Sequence, residues 1–209
     1  MAEARAHRLR GLKNRDVTLA AATDLWAEYG YAGTSLAMIA ARVGISQAGL
    51  LHHFGSKDQL LLAAIERHGQ HERDQIGRLD GLVGRKAFEM LFQSVEDSFV
   101  DFGAARLFAA LQRDGMIEDN PAAQFIDDHY ATLRRYLLAA IERGVADGSI
   151  ASDIDALTVV NFALAVCDGI TIQAVIARRV PKLELALARA QVMDLLSAPP
   201  TSASLTANH

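Results

Sequence analysis

Gln47, Ala48, Gly49 and His52 fall on one face of a helix-sized segment, and that face carries nothing large and apolar to bury. A glutamine amide can pair bidentately with the N6 and N7 edge of adenine, and small neighbours let a backbone come close to base edges. A helix opening Gln-Ala-Gly therefore suits a DNA major groove. Ten residues on, Lys57 stands in the first turn of another segment, where a cation opposes the helix dipole. The placement makes sense if Lys57 and the helix N-terminus together hold a phosphate.

The elements that must position these groups are short. Thr34 is predicted to cap a first helix over Ser35 to Val43, with Leu36, Ile39, Ala40 and Val43 on its inward face. Gly44 follows, as expected of a residue that must take positive φ after a helix. Ser46 caps the second helix, Gln47 to about His53, and Ile45 before it can staple onto Leu50. Helices this short need packing to persist, and the small Ala40 lets their axes approach. Ser56 to Gln59, SKDQ, reads as a capping box for a third helix. Adjacent helical residues point about 100° apart, so His52 and His53 make neither a metal chelate nor a catalytic pair.

From about Arg15 to Ile65 the chain resembles the N-terminal domain of the tetracycline-repressor (TetR) family of bacterial transcriptional regulators. The resemblance rests on LAAATDLWAEYGYAGTSLAMIA and VGISQAGLLHHFGSKDQLL. It implies an all-α fold: a three-helix helix-turn-helix head and a helical ligand-binding and dimerisation body, about nine helices in all. It also implies phosphate contacts from Thr34, Ser46, His53 and Lys57, with Ser35 beside Thr34 in the DNA-facing set, and base contacts from Gln47, Ala48, Gly49 and His52. Leu51 departs from the family, which usually has tyrosine there; the phosphate contact of that hydroxyl is lost, and an apolar contact to a thymine methyl can replace it.

The formal net charge of −4 looks wrong for a DNA binder until it is divided. Residues 1 to 58 hold 7 Lys and Arg against 5 Asp and Glu, and the rest holds 14 against 20. Arg5, Arg8, Arg10, Lys13 and Arg15 form a basic arm, either a solvated tail or an additional phosphate or minor-groove contact. With 51% hydrophobic residues and no apolar run near the roughly 18 to 20 residues of a membrane span, no membrane partner is expected. One cysteine, Cys167, excludes an internal disulfide framework, and MAEARAHRLR lacks a signal peptide's apolar core. The cytoplasm is the expected compartment.

The predicted organisation is a flexible basic arm over 1–14, a helix-turn-helix domain over 15–55, an effector-binding and dimerisation domain over 56–196, and a disordered tail over 197–209. The first helix is expected over Arg15 to Tyr29, with Leu19, Ala22, Leu25, Trp26 and Tyr29 buried and Gly30 as its stop. Body helices are predicted from Ser56 to about Leu79, Arg85 to Val100, Ala104 to Asp114, Asn120 to about Asp147, Asp155 to about Ala177 and Pro181 to about Leu196.

The segment 156–177 is apolar nearly all round and so needs cover on more than one side. Paired with 181–196 and their copies it would form an intermolecular four-helix bundle, with Leu157, Val160, Leu164, Gly169, Leu183, Leu187 and Ala190 at a homodimer interface. Two-fold symmetry then predicts a palindromic operator in double-stranded DNA. Family resemblance further implies a small apolar or amphipathic effector in the body. Candidates for contacting it are His68, Phe88, Phe92, Phe108, Gln112, His129 and Asn161, with His71 and Arg113 as further polar groups. His68 and His71 lack a third ligand at firm spacing, so no metal is expected, nor any cofactor.

An enzyme would need a nucleophile with its base, a metal cluster or a phosphate-cradling loop, and none can be picked out. A purely structural bundle would leave the Gln-Ala-Gly helix and Lys57 unexplained. The expected function is a transcriptional regulator, a repressor released from its operator by a small molecule.

Overall fold

The computed structural model describes the backbone of residues 2–77, 81–100, 102–116 and 121–197, and the side chains of 15–67, 81–100, 102–116 and 122–197. Among the described residues there are nine helices and no strand: α1 (Ala2–Gly33), α2 (Leu36–Val43), α3 (Gln47–Phe54), α4 (Lys57–Gly77), α5 (Arg85–Ser98), α6 (Phe102–Gly115), α7 (Pro121–Ala146), α8 (Ala156–Ala177) and α9 (Lys182–Leu195). The all-α expectation holds. Helix α1 begins at Ala2 rather than near Arg15, so the backbone is helical where an arm was expected; the side chains of Arg5, Arg8, Arg10 and Lys13 lie outside the described residues, as do 198–209 of the tail.

The chain forms two compact units. The first comprises residues 1–74 and 98–128, so α6 belongs with the helix-turn-helix segment, a wider unit than 15–55. Leu19, Ala22, Leu25 and Trp26 of α1 pack with Ile39 and Ala40 of α2, Leu50 of α3, Leu60, Leu61, Ala64 and Ile65 of α4, and Leu107 and Leu111 of α6. The stripe predicted for α1 holds except at Tyr29, which is 51% exposed. The chain bends at Gly30, one residue further on. Gly30 has φ 76° and ψ 169°, a region essentially restricted to glycine, and a Cβ there would come within 2.8 Å of the Arg113 guanidinium.

The second unit comprises 75–97 and 129–209. Phe88, Leu91 and Phe92 of α5, Leu133, Leu137 and Ile141 of α7, Val160, Leu164 and Cys167 of α8, and Leu185 and Val192 of α9 form its core. Burial pushes the Cys167 thiol up to about 12, the setting of an inert thiol. Asp155 caps α8 by accepting the Thr158 N–H at 3.1 Å, and Ser149 N–H on Asp147 Oδ1 at 3.0 Å closes the predicted DGS turn. An open groove of about 640 Å³ between α5 and α9 has Leu82, Met90 and Met193 along it and Lys86, Glu89 and Arg189 at its rim.

Helix α8 corrects the composition reading. At 22 residues and mean hydropathy 1.8 it is long and apolar enough to cross a membrane by length and composition. Its Val160, Ala163, Leu164 and Cys167 lie in the protein core, which accounts for one apolar side.

Candidate nucleic-acid interface

Helix α3 is built as its sequence dictates. Ser46 Oγ accepts the Gly49 N–H at 3.0 Å, and a Cβ on Gly49 would stand only 3.2 Å from that oxygen, so glycine gives the cap room. Leu50 is fully buried and Phe54 half-buried, and these two anchor the helix to the core. Gln47, Ala48, His52 and His53 are exposed, Gly49 is partly so, and Leu51 is 37% exposed. The two imidazoles meet edge to face with centroids 5.7 Å apart. At the far end the Arg15 guanidinium lies 5.6 Å from the centre of the Phe54 ring, adding a cation beside α3.

The turn before α3 is closed at Gly44, with φ 73° and ψ 32°. Ile45 N–H donates to Ala40 carbonyl at 3.0 Å and Gly44 N–H to Ala41 carbonyl at 3.4 Å, the two bonds of a Schellman ending. This fixes the angle at which α3 leaves α2.

Thr34 does not cap α2. Ser35 does, its Oγ accepting the Met38 N–H at 3.2 Å. Thr34 is 1% exposed, and its hydroxyl faces the carbonyls of Gly30 at 2.8 Å and Leu25 at 3.1 Å. A side chain spent inward on the α1 kink is withdrawn from any phosphate, so Ser35 takes over both capping and exposure.

Lys57 has an internal partner as well. Its ammonium donates to the Tyr31 carbonyl and lies over the Tyr31 ring, 4.2 Å from its centre. Burial pulls its pKa down, against the opposing pull of Asp58 and Asp114. Asp114, in the last turn of α6, is 5% exposed and accepts the Tyr31 N–H at 2.6 Å, with Arg113 Nε 3.0 Å from its other oxygen. The Tyr31 hydroxyl donates to Asp58, and burial followed by that carboxylate raises the phenol's pKa.

Lys57 at a helix start and Asp114 at a helix end both have the wrong sign for their helix dipoles. Both are explained by one residue, Tyr31, whose N–H and C=O they bind just past the kink. The sequence signal for Asp114 was the same misplaced charge that drew attention to Lys57. Ser56 caps α4 as predicted, accepting the Gln59 N–H at 3.0 Å.

The expected effector residues divide between the units. Phe108 and Gln112 belong to the first, Phe88, Phe92, His129 and Asn161 to the second, and His68 and His71 have side chains outside the described residues. Phe88 and Phe92 are tightly packed core. Asn161 is on an exposed face of α8, its Oδ1 accepting from Arg134 Nε at 3.1 Å, and Arg113 is committed to Asp114. Phe108, Gln112 and His129 are the other candidates among the described residues. Burial pushes the His129 imidazole down to about 4, so it is neutral at physiological pH. None of the expected residues lines the α5–α9 groove.

At the expected dimer face, Val160 and Leu164 are core, whereas Leu157, Leu183, Leu187 and Ala190 are exposed. Phe162, Ile172 and Ile176, which the sequence did not single out, are exposed on α8, Ile176 at 76%. A Cβ on Gly169 would meet nothing within 4 Å, so that position is open too.

Residues 19–64 match the model of bacterial regulatory proteins of the tetR family, and 90–198 match the C-terminal model of BetI-type transcriptional repressors. The chain belongs to the TetR family. It is a transcriptional repressor of that family, with the DNA-binding helix-turn-helix at its N-terminal end. Similar proteins include the HTH-type transcriptional repressor AcnR of Corynebacterium jeikeium, 27% identical over 152 residues, which are 73% of this chain and 76% of that one. The HTH-type transcriptional repressor Rv3405c of Mycobacterium tuberculosis is 49% identical over 51 residues, 24% of this chain and 27% of that one. The fold is shared with a TetR-family regulator from Rhodococcus sp., at TM-score 0.74 and 18% identity over 89% of this chain and all of that one. These relatives are transcriptional regulators rather than enzymes.

Proposed function

We propose that this TetR-family repressor acts in the cytoplasm as a homodimer on a palindromic operator and is released by a small apolar or amphipathic effector. The observation that carries the DNA half is α3: a capped helix whose exposed face bears Gln47, Ala48, Gly49 and His52 and whose buried face is satisfied by Leu50. Gln47 reads an adenine edge, Ala48 and Gly49 allow close approach, and His52 reaches the next bases. Ser35, Ser46, His53 and Arg15 contact phosphates. Lys57 holds the α1 end against α4, so its part is to position the reading helix.

The dimer half is supported by the exposed apolar row Leu157, Phe162, Ile172 and Ile176 on α8 with Leu183 and Leu187 on α9. Ala165 and Gly169 in the middle of that row let two helices cross closely. Release by effector requires only that ligand favour the state that does not bind DNA by a few kcal/mol. Because Asp114 of α6 holds the Tyr31 peptide, a ligand that displaces α6 displaces the end of α1 with it.

Incubating the purified protein with fragmented genomic DNA and sequencing what it retains tests the proposal. The expected product is an inverted repeat with half-sites about one helical turn, or a multiple of it, apart. Retention without a common sequence would contradict it.

A further inference from the structure

Leu51 is the large apolar side chain of α3 that the core of the first unit does not use: the anchoring of α3 is complete with Leu50 and Phe54, and Leu51 remains 37% exposed. An exposed leucine alone means little. This one stands four residues after Gln47, and at about 100° per residue the two are about 40° apart, on the same flank one turn along the helix. Leu51 has no hydrogen-bonding group for a phosphate or a polar base edge. The apolar group that B-DNA presents in its major groove is the thymine C5-methyl.

We infer that Leu51 is a specificity-determining residue that packs on a thymine methyl in each operator half-site. This rests on the assignment of α3 as the reading helix. The thymine therefore lies in the same half-site as the adenine paired with Gln47, within reach of the next turn of α3.

The test uses the full chain and the operator it selects from genomic DNA. Each thymine in the operator is replaced by deoxyuridine, which removes only the methyl, and the dissociation constant is measured at fixed salt for wild type, Leu51→Ala and Leu51→Met. For wild type, one symmetry-related thymine pair should cost about fourfold per half-site on demethylation, the value of about one buried methyl group. Leu51→Met should keep most of that sensitivity and Leu51→Ala should lose it, while both keep the operator's remaining base preferences.

Equal methyl sensitivity in wild type and Leu51→Ala at every thymine would overturn the inference and leave the reading helix standing. Loss of all sequence preference in the wild type would overturn both. A folding defect is separated from these by the operator's Gln47-dependent adenine, whose preference survives only if α3 is intact.

Discussion

Helices α3 and α8 each expose a face that the other described residues do not cover, and the two faces differ in chemistry. On α3 the exposed set is Gln47, Ala48, Leu51, His52 and His53. On α8 it is Leu157, Phe162, Ile172 and Ile176. A mainly polar face loses little in water and gains by presenting hydrogen-bonding groups to base edges. A row of large apolar groups on one helix is costly to leave wet and is best covered by a like surface. In the proposed dimer, one molecule carries a face for a charged, hydrated partner and a face for a second copy of itself. The symmetry imposed by the second decides what the first can read.

The comparison breaks most completely at the apolar face. The double variant Ile176→Asp, Leu183→Asp places four carboxylates in a two-fold interface, so sedimentation should show monomer and operator affinity should fall by at least about 100-fold. Unchanged mass would mean that the α8–α9 face is not where copies meet. On α3 the effect is smaller and confined to one position. Gln47→Ala should lose about 1–3 kcal/mol of discrimination at one base pair of each half-site, measured by competition between operator variants. A uniform loss across all sequences would make Gln47 a backbone contact instead.

Lys57 sharpens the boundary between reading and positioning. Lys57→Met should lower the head's stability by about 1 kcal/mol, as expected for a lost hydrogen bond, yet leave the slope of log affinity against log salt unchanged. A slope shallower by about 1 would restore the phosphate role that its helix-start position first suggested. The remaining test is a pH dependence in the second unit. His129 has its pKa lowered to about 4 by burial, below the roughly 6.5 of an unfolded chain. The unfolded state therefore binds more protons between those values, and stability is complete above about pH 6.5 and falls as pH drops towards 4. Urea denaturation across that range should show the fall, and His129→Gln should flatten it.

The head was legible in the sequence because its signals are local. Caps at Ser46 and Ser56, the positive-φ glycine at 44 and the inward row of α2 are all settled within a few residues. Thr34 and Ser35 are both competent caps, and which one faces inward depends on carbonyls of Leu25 and Gly30 that only the bend in α1 brings near. Lys57 and Asp114 were recognisable as charges at the wrong helix ends, but Tyr31, which explains both, is 26 and 83 residues away in sequence. In α8 the difficulty was of another kind. A helix apolar on all sides has no periodicity to tell core from surface, so the sequence places Val160 and Leu164 at an interface where the fold buries them, and does not mark Phe162, Ile172 and Ile176, which are exposed. The effector residues were the least legible, because aromatic side chains such as Phe88 and Phe92 fill cores and pockets alike.

The central claim is that α3 reads DNA as one of a symmetric pair. Sedimentation equilibrium of the purified protein on the duplex it selects from genomic DNA, with one half-site intact or both, tests it most directly. The account predicts two chains on an inverted repeat and a large loss of affinity when either half-site is scrambled. One chain bound with full affinity to a single, asymmetric site would contradict it.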